Sequence, residues 1–476
     1  MDSDFTMTIA GTRTRKAAST PVLNPATRSV LTHVPSADPT DVDRTVEAAR
    51  HAFPGWAARP HTERQTALAA IADRLECHAE EFMALLTSEQ GKPRAMAQWE
   101  IDGSITWFRE VAQQSLPDEI IEDTTDRLVV SRHTPLGVVA AIVPWNFPVL
   151  LAVWKIAPAL NAGNTVIVKP SAFIPLCDLK LVELVQDILP PGVLSALSGN
   201  DELGRWLTEH PDIAKVAFTG STETGKHVMR SAAGTLKRIT LELGGNDPAI
   251  VLDDVDLITL APNLFWAAFQ NNGQFCNAAK RLYVHDRVYD RVRDALTEYA
   301  RTIVVGNGAD PTTDLGPVQN ELQYRKVAEY FDDCSAHGYD FALGGTIDRD
   351  APGWFVPITL VDNPPENSRL VAEEPFGPIV PLLRWSDDDD VIARANDTPW
   401  GLGASVWGTD VQRLQNIARR LEAGTVWINE VHQYSPHQVF AGHKQSGIGA
   451  ENSLHGLAEY TNHQTITLKK TAGLTG

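Results

Sequence analysis

The sequence predicts an α/β protein of two lobes with a cleft between them, the first built on a parallel, doubly wound sheet, with two strands added as a small further sheet. Three observations predict it. Short apolar runs alternate with helical stretches from residue 138 to 243. A second alternation runs from about 249 to 429. Two separate segments, 127–133 and 464–470, alternate apolar and polar residues. Alternation of strand and helix is the pattern of a doubly wound sheet, and period-two alternation is that of a half-solvated strand.

The elements follow in order. Residues 1–20 are polar and rich in Ala and Thr, and read as a frayed end or a short edge element. Asp38-Pro39-Thr40-Asp41 starts a helix: a capping carboxylate, proline in the first turn and a second acid. Val42, Val46, Ala49 and Phe53 recur at helical spacing behind it. Thr62-Glu63-Arg64 opens a second helix with Leu68, Ile71 and Leu75 on one face, and 80–88 is a third before the Gly91-Lys92-Pro93 break. The buried strands of the first sheet are 138–143, 165–169, 193–197, 215–218 and 239–243. The helices between them are 148–162, 177–188, 201–210 and 224–233. In the second block 281–284 and 424–428 read as strands, and the acidic run 387–390 as a solvated helix start. The segments 127–133 and 464–470 are expected to pair, and their open edge could recruit a second subunit.

Composition narrows the function. A chain of 476 residues exceeds one ordinary core, so two or three domains are expected. The net charge of −19 argues against nucleic acid or an acidic membrane as partner. The four cysteines, Cys77, Cys177, Cys276 and Cys334, have neither metal spacing nor a disulfide pattern, so no metal site is expected. No apolar run approaches the roughly 20 residues of a membrane span. A cytoplasmic protein is expected.

Several motifs carry chemistry, and each has a bland reading beside it. Cys276 follows Asn271-Asn272-Gly273-Gln274-Phe275; most cysteines pack cores, but this polar, Gly-containing approach favours an accessible thiolate nucleophile. Glu242 ends a strand just before Gly244-Gly245 and could activate water. Asn146, in Pro144-Trp145-Asn146-Phe147-Pro148, could hold an oxyanion, or the loop could be a packed turn. Lys169, before Pro170-Ser171-Ala172, could reach a ribose or phosphate, or lie at the surface. Phe218-Thr219-Gly220-Ser221 opens a helix and could receive a pyrophosphate, although capping boxes look alike. Glu373-Glu374-Pro375-Phe376 sets a carboxylate beside an aromatic ring, as ribose and nicotinamide require, or is a plain loop.

Taken in order, these motifs resemble the aldehyde dehydrogenase superfamily over nearly the whole chain. The likeness runs from Asn24-Pro25-Ala26-Thr27 through Asn396-Asp397-Thr398-Pro399-Trp400-Gly401 to Lys444-Gln445-Ser446-Gly447 and Glu459-Tyr460-Thr461. It implies a Rossmann-type cofactor domain (1–116 and 136–243), an α/β catalytic domain (244–445) and oligomerisation or bridging segments (117–135 and 446–476). It implies Cys276 as the nucleophile that forms a thiohemiacetal and then a thioester. Glu242 would activate the hydrolytic water, and Asn146 with the Cys276 N–H would form the oxyanion hole. For the NAD or NADP cofactor it implies Lys169 and Glu374 at the riboses and Phe376 at the nicotinamide. Gly220 and Ser221 would meet the pyrophosphate, with Trp145 and Phe218 lining the cleft. The matching tunnel positions are Phe147, Leu151, Trp154, Gln270, Phe275, Asn277, Tyr434 and Phe440. A homodimer or homotetramer is implied as well.

The departures refine this. After Lys169-Pro170-Ser171, many members carry Glu where this chain has Ala172. Its loss removes one NAD anchor and also a repulsion toward a 2′-phosphate, so NADP is expected to be tolerated. Phe440-Ala441-Gly442-His443-Lys444 and Ala450-Glu451 also depart, and read as local packing. His432 and His437 could modify the tunnel mouth, but read rather as surface histidines. The tunnel set is apolar and aromatic with no Arg for a second carboxylate, so a medium-sized aliphatic or aromatic aldehyde is preferred to a dicarboxylic semialdehyde. Relatives that acylate coenzyme A generally lack the glutamate, so Glu242 favours release of a free acid. A retired binding protein, or an esterase or reductase using the same thiol, are the competing readings. Joint retention of Cys276, Glu242, Asn146, Lys169 and Glu374 argues against retirement.

Overall fold

A computed structural model describes residues 4–470. Its first sheet has eight strands, in the order Thr12–Thr14, Met7–Ile9, Leu194–Ala196, Thr165–Lys169, Val138–Ile142, Lys215–Thr219, Arg238–Glu242, Gly447–Ile448. The five central strands are parallel. Every residue of Val138–Ile142, Thr165–Lys169 and Lys215–Thr219 is buried, as strands covered by helices on both faces must be. The N-terminal stretch read as frayed or edge-forming is a hairpin on the sheet's rim.

Chain order reverses at Val138–Ile142, which has Thr165–Lys169 on one side and Lys215–Thr219 on the other. A crevice opens beyond the carboxyl ends of strands at such a switch point. Asn146, Lys169, Gly220 and Glu242 all sit at or just past these ends.

The second sheet has seven strands: Asp340–Leu343, Thr359–Asp362, Ile379–Trp385, Ala279–His285, Asp247–Val251, Gly403–Trp407, Thr425–Ile428. All pairs but the first are parallel. Cys276 lies just before one strand of this sheet, and Gly244-Gly245 just before its neighbour. The amino ends of the second sheet therefore meet the carboxyl ends of the first, and the reactive groups collect at that junction.

The two alternating segments do pair: Thr461–Lys469 runs antiparallel to Arg127–Pro135, which also pairs with Glu119–Asp123. The expected residues 471–476 lie outside the described part. Among the described residues no helix is long and apolar enough to cross a membrane.

Several helices carry the site. Asp38 caps Pro39–Ala57 with a reciprocal capping box, as the sequence predicts. Asp387 caps Asp388–Asn396 by accepting from the Asp390 N–H. The helix expected at 177–188 is shorter, Leu176–Leu184, and gives way to a turn before Pro190-Pro191. Arg94–Gln113 was not marked by its sequence pattern, because Glu100 and Ser104 fall on its buried face. Glu100 is buried for a reason. Its carboxylate accepts the Val149 and Leu150 N–H groups at 2.9 and 3.3 Å, at the start of the helix Pro148–Asn161, and pairs with Lys92. It thus satisfies orphan donors of a helix with no side-chain cap of its own.

Candidate active site

Two cavities meet at Cys276. One is apolar and holds about 480 Å³; it is walled by Trp99, Phe147, Leu150, Leu151, Trp154 and Phe275, with Asn277, Tyr434 and Phe440. Glu242, Glu451 and Thr219 share that wall. The other, about 610 Å³, is lined by Trp145, Asn146, Gly220, Ser221, Glu374 and Phe376, and it too reaches Cys276. The structure thus brings together most residues singled out from the sequence.

The loop before Cys276 has a backbone few sequences tolerate. Asn271, Asn272 and Gly273 have φ of 51°, 61° and 71°. Asparagine side chains offset part of that cost by local hydrogen bonding. Asn271 Nδ2 donates to the Asn146 carbonyl at 3.1 Å, and Asn272 Nδ2 to the Gly316 carbonyl at 3.0 Å. Gly273 is required twice over, since a Cβ there would also stand 2.4 Å from the Gly377 carbonyl oxygen. The loop is bound to the oxyanion candidate as well: Asn146 Nδ2 donates to the Gln274 carbonyl at 3.2 Å. Lys92 Nζ donates to the Asn146 carbonyl at 2.9 Å and lies 4.2 Å from the centre of the Phe147 ring. The Cys276 N–H has no protein acceptor among the described residues.

Burial pushes Cys276 up to about 12, Lys280 opposes this, and Asp247, Glu374 and Glu242 add to it. This favours the thiol over the thiolate, while Cys276 stays partly exposed to both cavities, as its polar approach suggested. Low-dielectric walls and three carboxylates outweigh the nearby dipoles. Glu242 is raised well above the usual carboxylate range by burial, further by Glu451, and lowered by Lys155. Neither of its carboxylate oxygens has a hydrogen-bond partner.

On the cofactor side, Ser221 Oγ accepts from the Thr224 N–H at 3.2 Å and caps Thr222–Ala233. Capping and a cleft-facing helix N-terminus coexist here. Trp145 and Phe376 meet edge to face at 5.4 Å. Glu374 Oε1 accepts from the Gly245 N–H at 3.2 Å, and its Oε2 lies where a Cβ on Gly244 would come within 2.3 Å. Lys169 is buried, is pushed down to about 8 by burial, and donates only to the adjacent Pro170 carbonyl at 3.1 Å. Ser171 and Ala172 are half-buried beside it. Phe218 does not line the cleft: it is buried beneath the Gly220 turn. Gln270 is not on the tunnel wall either; its Nε2 contacts Met96 Sδ at 3.5 Å.

Three features were missed. His432 is buried, not superficial: it stacks on Phe275 at 4.3 Å between Gln270 Oε1 (2.7 Å) and the Asn277 carbonyl (3.1 Å). Burial pushes it down to about 4, so the ring is neutral and can donate to only one of them. His437 is exposed, as expected, beside Glu110. Glu451, read as local packing, reaches the tunnel wall and accepts from Lys155 Nζ at 2.5 Å, while Lys155 also donates to Thr219 Oγ1 at 2.7 Å. Lys155 was visible in the sequence as the lone charge in an apolar helix. Lys280, fully enclosed, donates to the Cys276 carbonyl at 2.6 Å.

An apolar cavity and a second cleft that share Cys276, with Glu242 on the wall of the first, are the candidate site of an oxidoreductase. Residues 12–466 match the Aldehyde dehydrogenase family, and the chain belongs to that family. It is 43% identical to Aldehyde dehydrogenase LUC3 of a Fusarium species, over 94% of this chain and 95% of that protein. It is 39% identical to phenylacetaldehyde dehydrogenase of Pseudomonas fluorescens, over 94% and 92%. Its structure is similar to the NAD+ complex of aldehyde dehydrogenase from Bacillus cereus, with a TM-score of 0.96 and 35% identity over 99% and 97% of the two chains.

Proposed function

We propose that this protein oxidises a medium-sized aliphatic or aromatic aldehyde to the free carboxylic acid with NAD+ or NADP+. The observation that carries the reading is the junction itself: the tunnel and the cofactor-sized cleft share the Cys276 thiol. Glu242, with both oxygens unpaired, takes the thiol proton. Sulfur then bonds to the carbonyl carbon, and the oxygen that gains charge is held by Asn146 Nδ2 and the Cys276 N–H. A nicotinamide held beside Phe376 and Trp145 would supply the hydride acceptor, and the adduct on Cys276 would become a thioester. Glu242, having passed the thiol proton to solvent, next takes a proton from water; the water oxygen bonds to the acyl carbon, the C–S bond breaks, the leaving Cys276 sulfur takes the proton back from Glu242, and the acid leaves.

The cleft's donor set fits a dinucleotide. Glu374 Oε2 and Lys169 are available to ribose hydroxyls, the Gly220-Ser221 helix start to a pyrophosphate, and Phe376 and Trp145 to the nicotinamide side. Ser171 and Ala172 would border the adenosine ribose. Phe218 supports that turn from below. The NAD+ complex of the Bacillus cereus protein supports the same reading.

The tunnel supports the substrate class. Phe147 meets Phe275 at 4.6 Å, Trp154 meets Phe440 at 5.4 Å, and no Arg or Lys faces the lumen. The similarity to phenylacetaldehyde dehydrogenase also favours an aryl substrate.

The same proposal divides the chain into the cofactor-binding (1–116, 136–243), catalytic (244–445) and oligomerisation segments (117–135, 446–476), assembled as a homodimer or homotetramer. Four free thiols support a cytoplasmic setting. The test is formation of reduced nicotinamide across short aliphatic, long aliphatic, aromatic and acidic aldehydes, with each cofactor, for wild type and Cys276→Ala. Turnover lost in the variant is expected. Turnover retained by Cys276→Ala, or none by wild type with cofactor bound, would overturn the reading.

A further inference from the structure

Only 4% of the Lys280 side-chain surface is exposed, yet it brings an amino group beside the nucleophile. Taking an ammonium out of water is costly, and an apolar side chain of similar size would serve packing better. Its neighbours are definite. It donates to the Cys276 carbonyl at 2.6 Å. It forms an ion pair with Glu374 Oε1 at 3.1 Å. The ammonium also stands 5.8 Å from the centre of the Phe376 ring. A single cation thus touches the main chain of the nucleophile, the candidate ribose carboxylate and the candidate nicotinamide-side ring.

The rest of Glu374 is clasped from other elements. Lys326 Nζ donates to its backbone carbonyl at 2.8 Å, and the Gly245 N–H to its Oε1. Glu374 Oε2 takes no protein donor among the described residues, which leaves it for a ligand hydroxyl. At the other end, Cys276 leaves a loop of three left-handed residues and is not held by strand pairing until Ala279. Its carbonyl bond to Lys280 fixes the peptide plane leaving the nucleophile.

We propose that Lys280 is a positioning residue that ties the Glu374 carboxylate to the main chain of Cys276, so that cofactor seating and presentation of the thiol are set by one buried ammonium. The inference rests on the assignment of Glu374 to a ribose made above. The groups facing the Cys276 thiol are Lys280, Asp247, Glu374, Glu242 and the Tyr434 hydroxyl; Lys280 is the cation among them.

The test uses the full-length protein and Lys280→Met, with two readouts: the NAD+ dissociation constant, and the rate of Cys276 alkylation by iodoacetamide across pH, with and without saturating NAD+. The expected result is a rise of about tenfold in the NAD+ constant, as loss of one charge-assisted contact implies. Cofactor-free alkylation should also slow at each pH below the thiol midpoint, because the opposing charge is gone. The change in alkylation that NAD+ causes in wild type should disappear. Loss of only one of the two readouts overturns the proposal, since a packing lysine could disturb either alone. Thermal melting checks the fold; if Lys280→Met does not fold, Lys280→Gln, which keeps a donor for the Cys276 carbonyl, carries the same test. Glu374→Gln separates the two claims: wild-type NAD+ binding in that variant overturns the ribose assignment, while cofactor-free alkylation of Lys280→Met still judges the link to Cys276.

Discussion

Lys155 Nζ lies 2.5 Å from Glu451 Oε1, with both side chains out of water, and Glu451 shares the tunnel wall with Glu242. The pair places one positive and one negative charge within reach of a carboxylate that has no hydrogen bond of its own. Lys155 favours the ionised form of Glu242 and Glu451 opposes it.

Opposite pH shifts follow. Lys155→Met should raise Glu242 further, so the ascending limb of kcat/KM should move to higher pH. Glu451→Gln should lower Glu242 and move that limb to lower pH. Lys155→Met should also destabilise the fold by about 3–5 kcal/mol, because it strands a buried carboxylate. A pH–rate profile with urea unfolding of each variant checks this. Equal shifts in both variants would sink the electrostatic account.

Asn146 gives a second prediction. Its carbonyl is held by Lys92 and Asn271, and its amide donates to the Gln274 carbonyl, leaving one N–H for an oxyanion. Asn146→Ala should lower kcat by about 10²–10³-fold with little change in cofactor affinity. Steady-state kinetics beside an NAD+ titration would show it. A matched fall in cofactor affinity would instead mean that the loop had collapsed.

How much of this was legible in the sequence depends on range. The strands around Val138–Ile142 were plain, because a strand covered on both faces is a continuous apolar run. Cys276, Glu242 and Asn146 stood out because glycine and asparagine mark turns at strand ends, and the structure brings them to adjoining cavities. The helix Arg94–Gln113 was not, since Glu100 spoils its apolar stripe for the sake of a helix start almost fifty residues on. Glu451 and Lys280 were opaque for the same reason: their partners, Lys155 and Glu374, are distant in the chain. The upward push on the Cys276 thiol was not legible, because local polarity was visible but the distant carboxylates around it were not.

Cofactor choice gives a third prediction. Ala172 is half-buried near Lys169, and no carboxylate stands at its position. Ala172→Glu should favour NAD+ and disfavour NADP+, because a carboxylate accepts ribose hydroxyls and repels a 2′-phosphate. A hydrogen bond to a charged group contributes about 1.5–3 kcal/mol, so the NAD+/NADP+ ratio of kcat/KM should rise by about ten- to a hundredfold. Parallel kinetics with both cofactors test it; an unchanged ratio would place the adenosine ribose elsewhere.

The small sheet gives the last prediction. Its order leaves both outer strands, Glu119–Asp123 and Thr461–Lys469, with open edges. The pairing puts Ile120, Val130 and Ile466 in one row across it. Leu128 and Leu468 stand on the same face two residues along. Ile120 is 64% exposed, and Ile466 and Leu468 are each 46% exposed. A contiguous apolar face beside open edges is what a monomer avoids and an assembly covers. Ile466→Lys puts a charge in the middle of that row without touching either cavity. Light scattering after size exclusion should give a dimer or tetramer for wild type and a smaller species for Ile466→Lys. A monomeric wild type, or a variant of unchanged mass, would mean that this face is not where the subunits meet.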